Sequence, residues 1–93
     1  MGFKKMRGVK LPYKKQGFIF FLCQNYEELP EDIQTGIRMQ CRLVAGEYAG
    51  ALLAVLTTGK SISNIALQYH TSESALYRYR KRFYENFENS FYN

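Results

Sequence analysis

The sequence predicts an all-α protein: a small helical bundle with a basic N-terminal arm and two short helices meeting at a tight turn near its C-terminal end. Three observations predict it. Apolar residues recur at spacings of three and four from Ile33 onward. Helix start and stop residues (Pro30, Gly46, Gly59, Ser61 and Ser72) divide that pattern into separate segments. The chain has 93 residues, 46% hydrophobic and 16% aromatic, which is enough for one modest core and too little for two ordinary domains.

The first segment, residues 1–16, mixes Lys4, Lys5, Arg7, Lys10, Lys14 and Lys15 with Gly2, Gly8 and Pro12. No helical period survives that punctuation, so it reads as a basic flexible arm preceding one helical domain over 17–93. Residues 18–26, FIFFLCQNY, are aromatic and branched and too short for periodicity to decide between a strand and a buried helix. In either form Phe18, Ile19, Phe21 and Leu22 need covering.

Leu29-Pro30-Glu31-Asp32 starts a helix, with proline in the first turn and two acids beside the positive helix end. The period carries it to about Val44, with Ile33, Ile37, Gln40 or Cys41, and Val44 inward, and Arg38 and Arg42 as an outward pair. Gly46 breaks it. Residues 47–57, EYAGALLAVLT, form a strongly apolar helix facing the core with Tyr48, Ala51, Leu52, Val55 and Leu56, and Gly59 is its natural C-terminal cap.

In residues 61–83, SISNIALQYHTSESALYRYRKRF, Ser61 caps a short helix whose inner face is Ile62, Ile65, Ala66 and Tyr69. The period breaks at His70-Thr71-Ser72, where Thr71 or Ser72 caps a second helix with Glu73 in its first turn. Ala75, Leu76, Tyr79 and Phe83 then face inward, and Glu73, Ser74, Tyr77, Arg78, Lys81 and Arg82 face outward. The pattern is that of a helix-turn-helix. Beyond it, Phe83, Phe87 and Phe91 fall four apart. Such a stripe is covered either by the 18–22 segment of the same chain or by its counterpart in a homodimer.

Over about residues 47–83 the chain resembles the helix-turn-helix of bacterial and phage DNA-binding proteins, such as the last domain of sigma factors and small phage transcription regulators. The family's small residue in the first helix falls on Ala66, its buried aliphatics on Ile65 and Leu76, and the apolar residue before the turn on Tyr69. His70 stands where the family usually places glycine, and Thr71 where it usually places an aliphatic. Histidine tolerates a positive φ better than most residues. The resemblance implies base contacts from Ser72, Glu73, Ser74, Tyr77, Arg78 and Lys81, and a supporting apolar helix at 47–57.

Charge agrees with an anionic partner. Of the net +5, residues 1–16 carry six cations and no acid, residues 17–60 are net −2, and residues 61–93 are net +1. Clustered lysine and arginine gain from counterion release on nucleic acid. An anionic membrane would satisfy the same charge, but the unbroken apolar run Phe18 to Cys23 falls far short of the ~20 residues of a spanning helix. It is also too short for a signal-peptide core, which leaves a cytoplasmic protein as the expectation. Cys23, Cys41 and the single His70 lack metal-ligand spacing, so both cysteines read as reduced core residues and no metal or cofactor is expected. Gly59-Lys60-Ser61 ends like a phosphate-binding loop, but Ala54 occupies the place of its earlier glycine. No nucleophile stands with a base and no acids pair, so a non-enzyme is expected.

The sequence therefore predicts a DNA-binding transcriptional regulator of a bacterium or mobile element. Ser72, Glu73, Ser74, Tyr77, Arg78 and Lys81 would meet bases and backbone. Arg80, Arg82, Lys4, Lys5 and Arg7 would hold phosphates, with Arg80 placed near the edge of the core. Two other roles fit the same residues: a DNA-binding accessory for packaging, excision or conjugation, and a protein-interaction module whose basic helix docks on an acidic partner such as RNA polymerase.

Overall fold

Helices account for every regular element in the structure, a computed structural model that describes residues 3–91 and side chains as far as residue 87. Five α-helices follow one another: α1 (Tyr13–Gln24), α2 (Glu31–Ala45), α3 (Ala49–Thr57), α4 (Ile62–Gln68) and α5 (Glu73–Phe91). Single 3₁₀ turns at Tyr26–Glu28 and Gly46–Tyr48 lead into α2 and α3. No strand occurs among the described residues, so the 18–26 segment resolves as helix. The radius of gyration, 12.4 Å, matches the roughly 12 Å of a folded domain this long.

Local chemistry sets most of the boundaries. Pro30 stands in extended conformation just before α2, and Glu31 and Asp32 occupy the first turn. The helix stops at Gly46, whose φ of 56° is open to glycine at little cost. The expected glycine cap on α3 is not used. Thr58 is extended, and the last turn is closed by hydroxyls, Thr57 Oγ1 donating to the Leu53 carbonyl at 2.8 Å and Thr58 Oγ1 to that of Ala54 at 2.6 Å. The Ala54 carbonyl also accepts the Thr58 amide at 3.0 Å, so its hydroxyl bond is a second one that holds the end of the helix.

α3 is apolar almost all round because it is the hub, in contact with α1, α2, α4 and α5. A large cluster joins Ile19 and Cys23 of α1, Ile37 and Cys41 of α2, Leu52 and Leu56 of α3, and Phe83, Tyr84 and Phe87 of α5. A smaller one joins Ala51, Ile65, Ala66 and Leu76. Taken as one run, Glu31–Thr57 has the length and apolar content of a membrane crossing, with mean hydropathy 1.2 over its richest window. The chain breaks that run at Gly46 and packs α2 and α3 against one another as core helices.

One sequence expectation changes here, and one of two alternatives is met. The boundary between arm and domain, set at residues 16 and 17, falls inside α1, and the arm lies against the domain. Val9 is buried in the large cluster, and Gln16, fully buried, accepts from the Met6 amide at 2.9 Å and donates to the Leu11 carbonyl at 3.0 Å. A buried amide must find partners, and here the arm's own backbone supplies them. Of the two covers expected for the aromatic stripe, the same chain supplies that of Phe83 and Phe87. Phe83 and Phe87 are buried, and Phe87 meets the Phe18 ring edge-on at 6.4 Å. A homodimer through these two rings would have to open the core, while the side chain of Phe91 lies outside the described residues.

Candidate functional site

The α4 and α5 pair is held by a complete set of caps. Ser61 Oγ accepts from the Asn64 amide at 3.2 Å, and Ser72 Oγ accepts from that of Ala75 at 3.1 Å. Between them α4 ends in a Schellman turn. The Thr71 amide reaches the Ala66 carbonyl at 3.0 Å, and the His70 amide reaches that of Leu67 at 3.4 Å. This geometry forces positive φ on one residue, and His70 takes it at 56°, the only non-glycine residue to do so among those described. Behind the turn, Ala51, Ile65, Ala66 and Leu76 close the small cluster and seat α4 between α3 and α5. Tyr69, expected inward, is 36% exposed and sits over the start of α3.

α5 divides its residues as the period requires. Ala75, Leu76, Phe83 and Tyr84 are buried and Tyr79 is half-buried, while Glu73, Ser74, Tyr77, Arg78, Lys81 and Arg82 are exposed. Residues 74, 77, 78 and 81 share one side of the helix, with Ser72 at its N-terminal end. The hydroxyls of Ser72 and Ser74 lie 3.3 Å apart. Arg80 does not join this face. It is half-buried, its guanidinium lies 5.2 Å from the centre of the Tyr77 ring, and it lines a recess with Phe3, Lys4, Met6, Phe20 and Tyr84. A stacked guanidinium of this kind orients Tyr77 more readily than it reaches a phosphate.

The arm brings the other cations to α5. The Lys10 amide donates to Glu85 Oε2 at 2.9 Å, one turn beyond Lys81, and Lys4 borders the same recess as Arg80. Lys4, Lys5 and Arg7 are exposed. The arm thus meets α5 at two places, its Lys10 backbone at Glu85 and Lys4 at the recess of Arg80. Gln16 and Glu85 anchor the arm, and no sequence signal marked either: Gln16 follows two lysines and resembles arm, and Glu85 resembles an ordinary solvated acid.

Burial, together with the nearby Cys41, pushes the Cys23 thiol from its ordinary value of 9.0 up to about 12, and burial does the same for Cys41. Both cysteines are free thiols. Among the described residues no three His, Cys, Asp or Glu side chains gather as metal ligands. Comparison with protein-family models, curated proteins and solved structures gives no match.

Proposed function

We propose that this chain binds double-stranded DNA through the exposed face of α5, as a small transcriptional regulator of a bacterium or mobile element. One observation carries the reading: a capped helix, braced from behind by α3 and α4, presents Ser74, Tyr77, Arg78 and Lys81 on one free side, with the basic arm anchored one turn farther along. An exposed helix of this size fits the major groove of duplex DNA. Arginine supplies a planar donor fork for guanine or phosphate, lysine a mobile charge, and serine and tyrosine hydroxyls further donors. Glu73 stabilises the positive end of α5 and stands where it could accept from a cytosine amino group. Arg82, Lys5 and Arg7, all exposed, would supply phosphate contacts.

Fluorescence anisotropy with duplex DNA at a series of salt concentrations tests it. With four phosphate contacts, affinity should fall on the order of a hundredfold between 50 and 200 mM salt. The Arg78→Ala, Lys81→Ala double variant should lose most of the affinity and part of the salt slope while melting as the wild type does. Absence of binding, or a variant that binds as the wild type does, would move α5 to docking on an acidic protein.

A further inference from the structure

Residues 17–60 hold only three cations, Arg38, Arg42 and Lys60, and two of these meet at one place. Arg38 and Arg42, one turn apart on α2, line a recess of about 190 Å³ with Cys41, Ala49, Gly50 and Leu53, where α2 meets the start of α3. No acid lines it. Arg38 is half-buried and fixed in orientation, with Nη1 donating to Tyr26 Oη at 2.6 Å and Nη2 to Thr35 Oγ1 at 3.0 Å. Both acceptors are neutral hydroxyls. They set the plane of the guanidinium and leave its charge uncompensated. Arg42 is exposed beside it.

The recess also lies close to the turn that leads into α5. A Cβ on Gly50 would stand 3.6 Å from Tyr69 Cε1, and Tyr69 is the residue before the turn that delivers Ser72 to the head of α5. The arm reaches α5 at its other end, through Glu85. From Ser74 to Glu85 the helix rises about 17 Å, so the recess lies toward the end of α5 that the turn delivers and the arm's backbone is anchored toward the other.

From this placement we infer that Arg38 and Arg42 hold a backbone phosphate of the duplex that α5 reads, extending the interface across the turn onto α2. The inference rests on the DNA-binding reading. A pre-oriented guanidinium matches a phosphate's paired oxygens, and the second arginine supplies a donor from the solvent side. The apolar floor of Cys41, Ala49 and Leu53 strengthens that attraction by limiting water around it. Such a contact adds affinity without sequence preference.

The test is the salt slope of duplex binding for wild type, Arg42→Gln, Arg42→Lys, Arg38→Gln and the Arg78→Ala, Lys81→Ala variant. Arg42→Gln should lower the slope by about 0.9, the value of one lost phosphate contact, and equally for specific and random sequence. Arg42→Lys should keep the slope while weakening binding, since lysine retains the charge without the fork. Arg38→Gln should lower the slope and also the melting temperature, because Tyr26 and Thr35 lose their donor. Arg42 is exposed, so its variant tests the charge in a folded protein. An unchanged slope for Arg42→Gln, beside a reduced one for Arg78→Ala, Lys81→Ala, overturns the inference and leaves the α5 reading standing. If inorganic phosphate binds wild type but not Arg42→Gln while the duplex slope ignores the substitution, the recess serves a small anion and its assignment to DNA falls. A wild type that does not bind duplex overturns both.

Discussion

The two hydrophobic clusters divide the work of the fold unequally. The larger one gathers the arm, α1, α2 and the second half of α5 around α3, and it holds the aromatic bulk of the core, Phe83, Tyr84 and Phe87. The smaller one contains only Ala51, Ile65, Ala66 and Leu76, and its role is to fix α4 against the first half of α5. Tyr48 and Tyr79 touch both and couple them. Stability therefore resides mainly away from the proposed interface, while the small cluster sets the interface's shape.

Substitution at the two centres should separate these roles. Phe83→Ala empties the middle of the large cluster and should cost about 3–5 kcal/mol, a large part of the stability of a domain this size. Urea denaturation would show one transition moved to much lower midpoint. Leu76→Ala should cost somewhat less, about 2–4 kcal/mol, and act locally. Seven residues cannot hold a helix without tertiary support, so α4 should exchange its amides well before the rest of the chain unfolds. If hydrogen exchange in α4 rose no more than in α2, the two clusters would be one cooperative unit and the division above would be wrong.

The large cluster should also carry its own pH signature. Cys23 and Cys41 both belong to it, and their folded-state values of about 12 exceed the ordinary 9.0. Burial raises the Tyr84 phenol too, with Cys23 adding to the rise and Arg80 opposing it. A raised value means that the folded state holds the proton more tightly. The contribution is complete below pH 9 and is lost as pH climbs from 9 toward 12. Melting temperature should fall across that window, and less steeply in Cys23→Ala. At neutral pH a thiol reagent should label neither cysteine until the chain unfolds.

Legibility of this fold in the sequence followed the same division. The small cluster and its caps lay in plain view, because Ser61, Ser72, Ile65, Ala66 and Leu76 act through neighbours a few residues away. Even His70 at positive φ was readable, since the turn dictates the conformation. The large cluster depends on contacts between distant segments, and its details were hidden. Phe18 to Cys23 shows no single apolar face because Phe3 of the arm, α3 and α5 cover part of α1, burying Ile19 and Cys23, while Phe18 and Phe21 stay about half exposed at 51% and 47%. The arm looked free because its anchors, Gln16 and Glu85, are polar residues that hydrogen-bond to backbone ten and 75 positions away. Arg38 gave no sign that Tyr26 would hold it.

The smallest expected effect lies where the two regions touch, at Gly50. The alanines and glycine of α3 suggest that α4 comes close enough to forbid larger residues, and at Ala51, fully buried, this holds. Gly50 differs. It is exposed, its φ is ordinary for a helix, and a Cβ there would meet only the edge of the Tyr69 ring at 3.6 Å, an ordinary contact distance. Glycine in a helix costs about 0.5–1 kcal/mol relative to alanine through the entropy of the unfolded chain. Gly50→Ala should therefore stabilise the protein by about 0.5 kcal/mol, read as a small rise in urea midpoint. A loss of stability would mean that the added methyl group disturbs the Tyr69 ring despite the ordinary contact distance. The turn that positions α5 would then be braced by that ring as well as by the four residues beneath it.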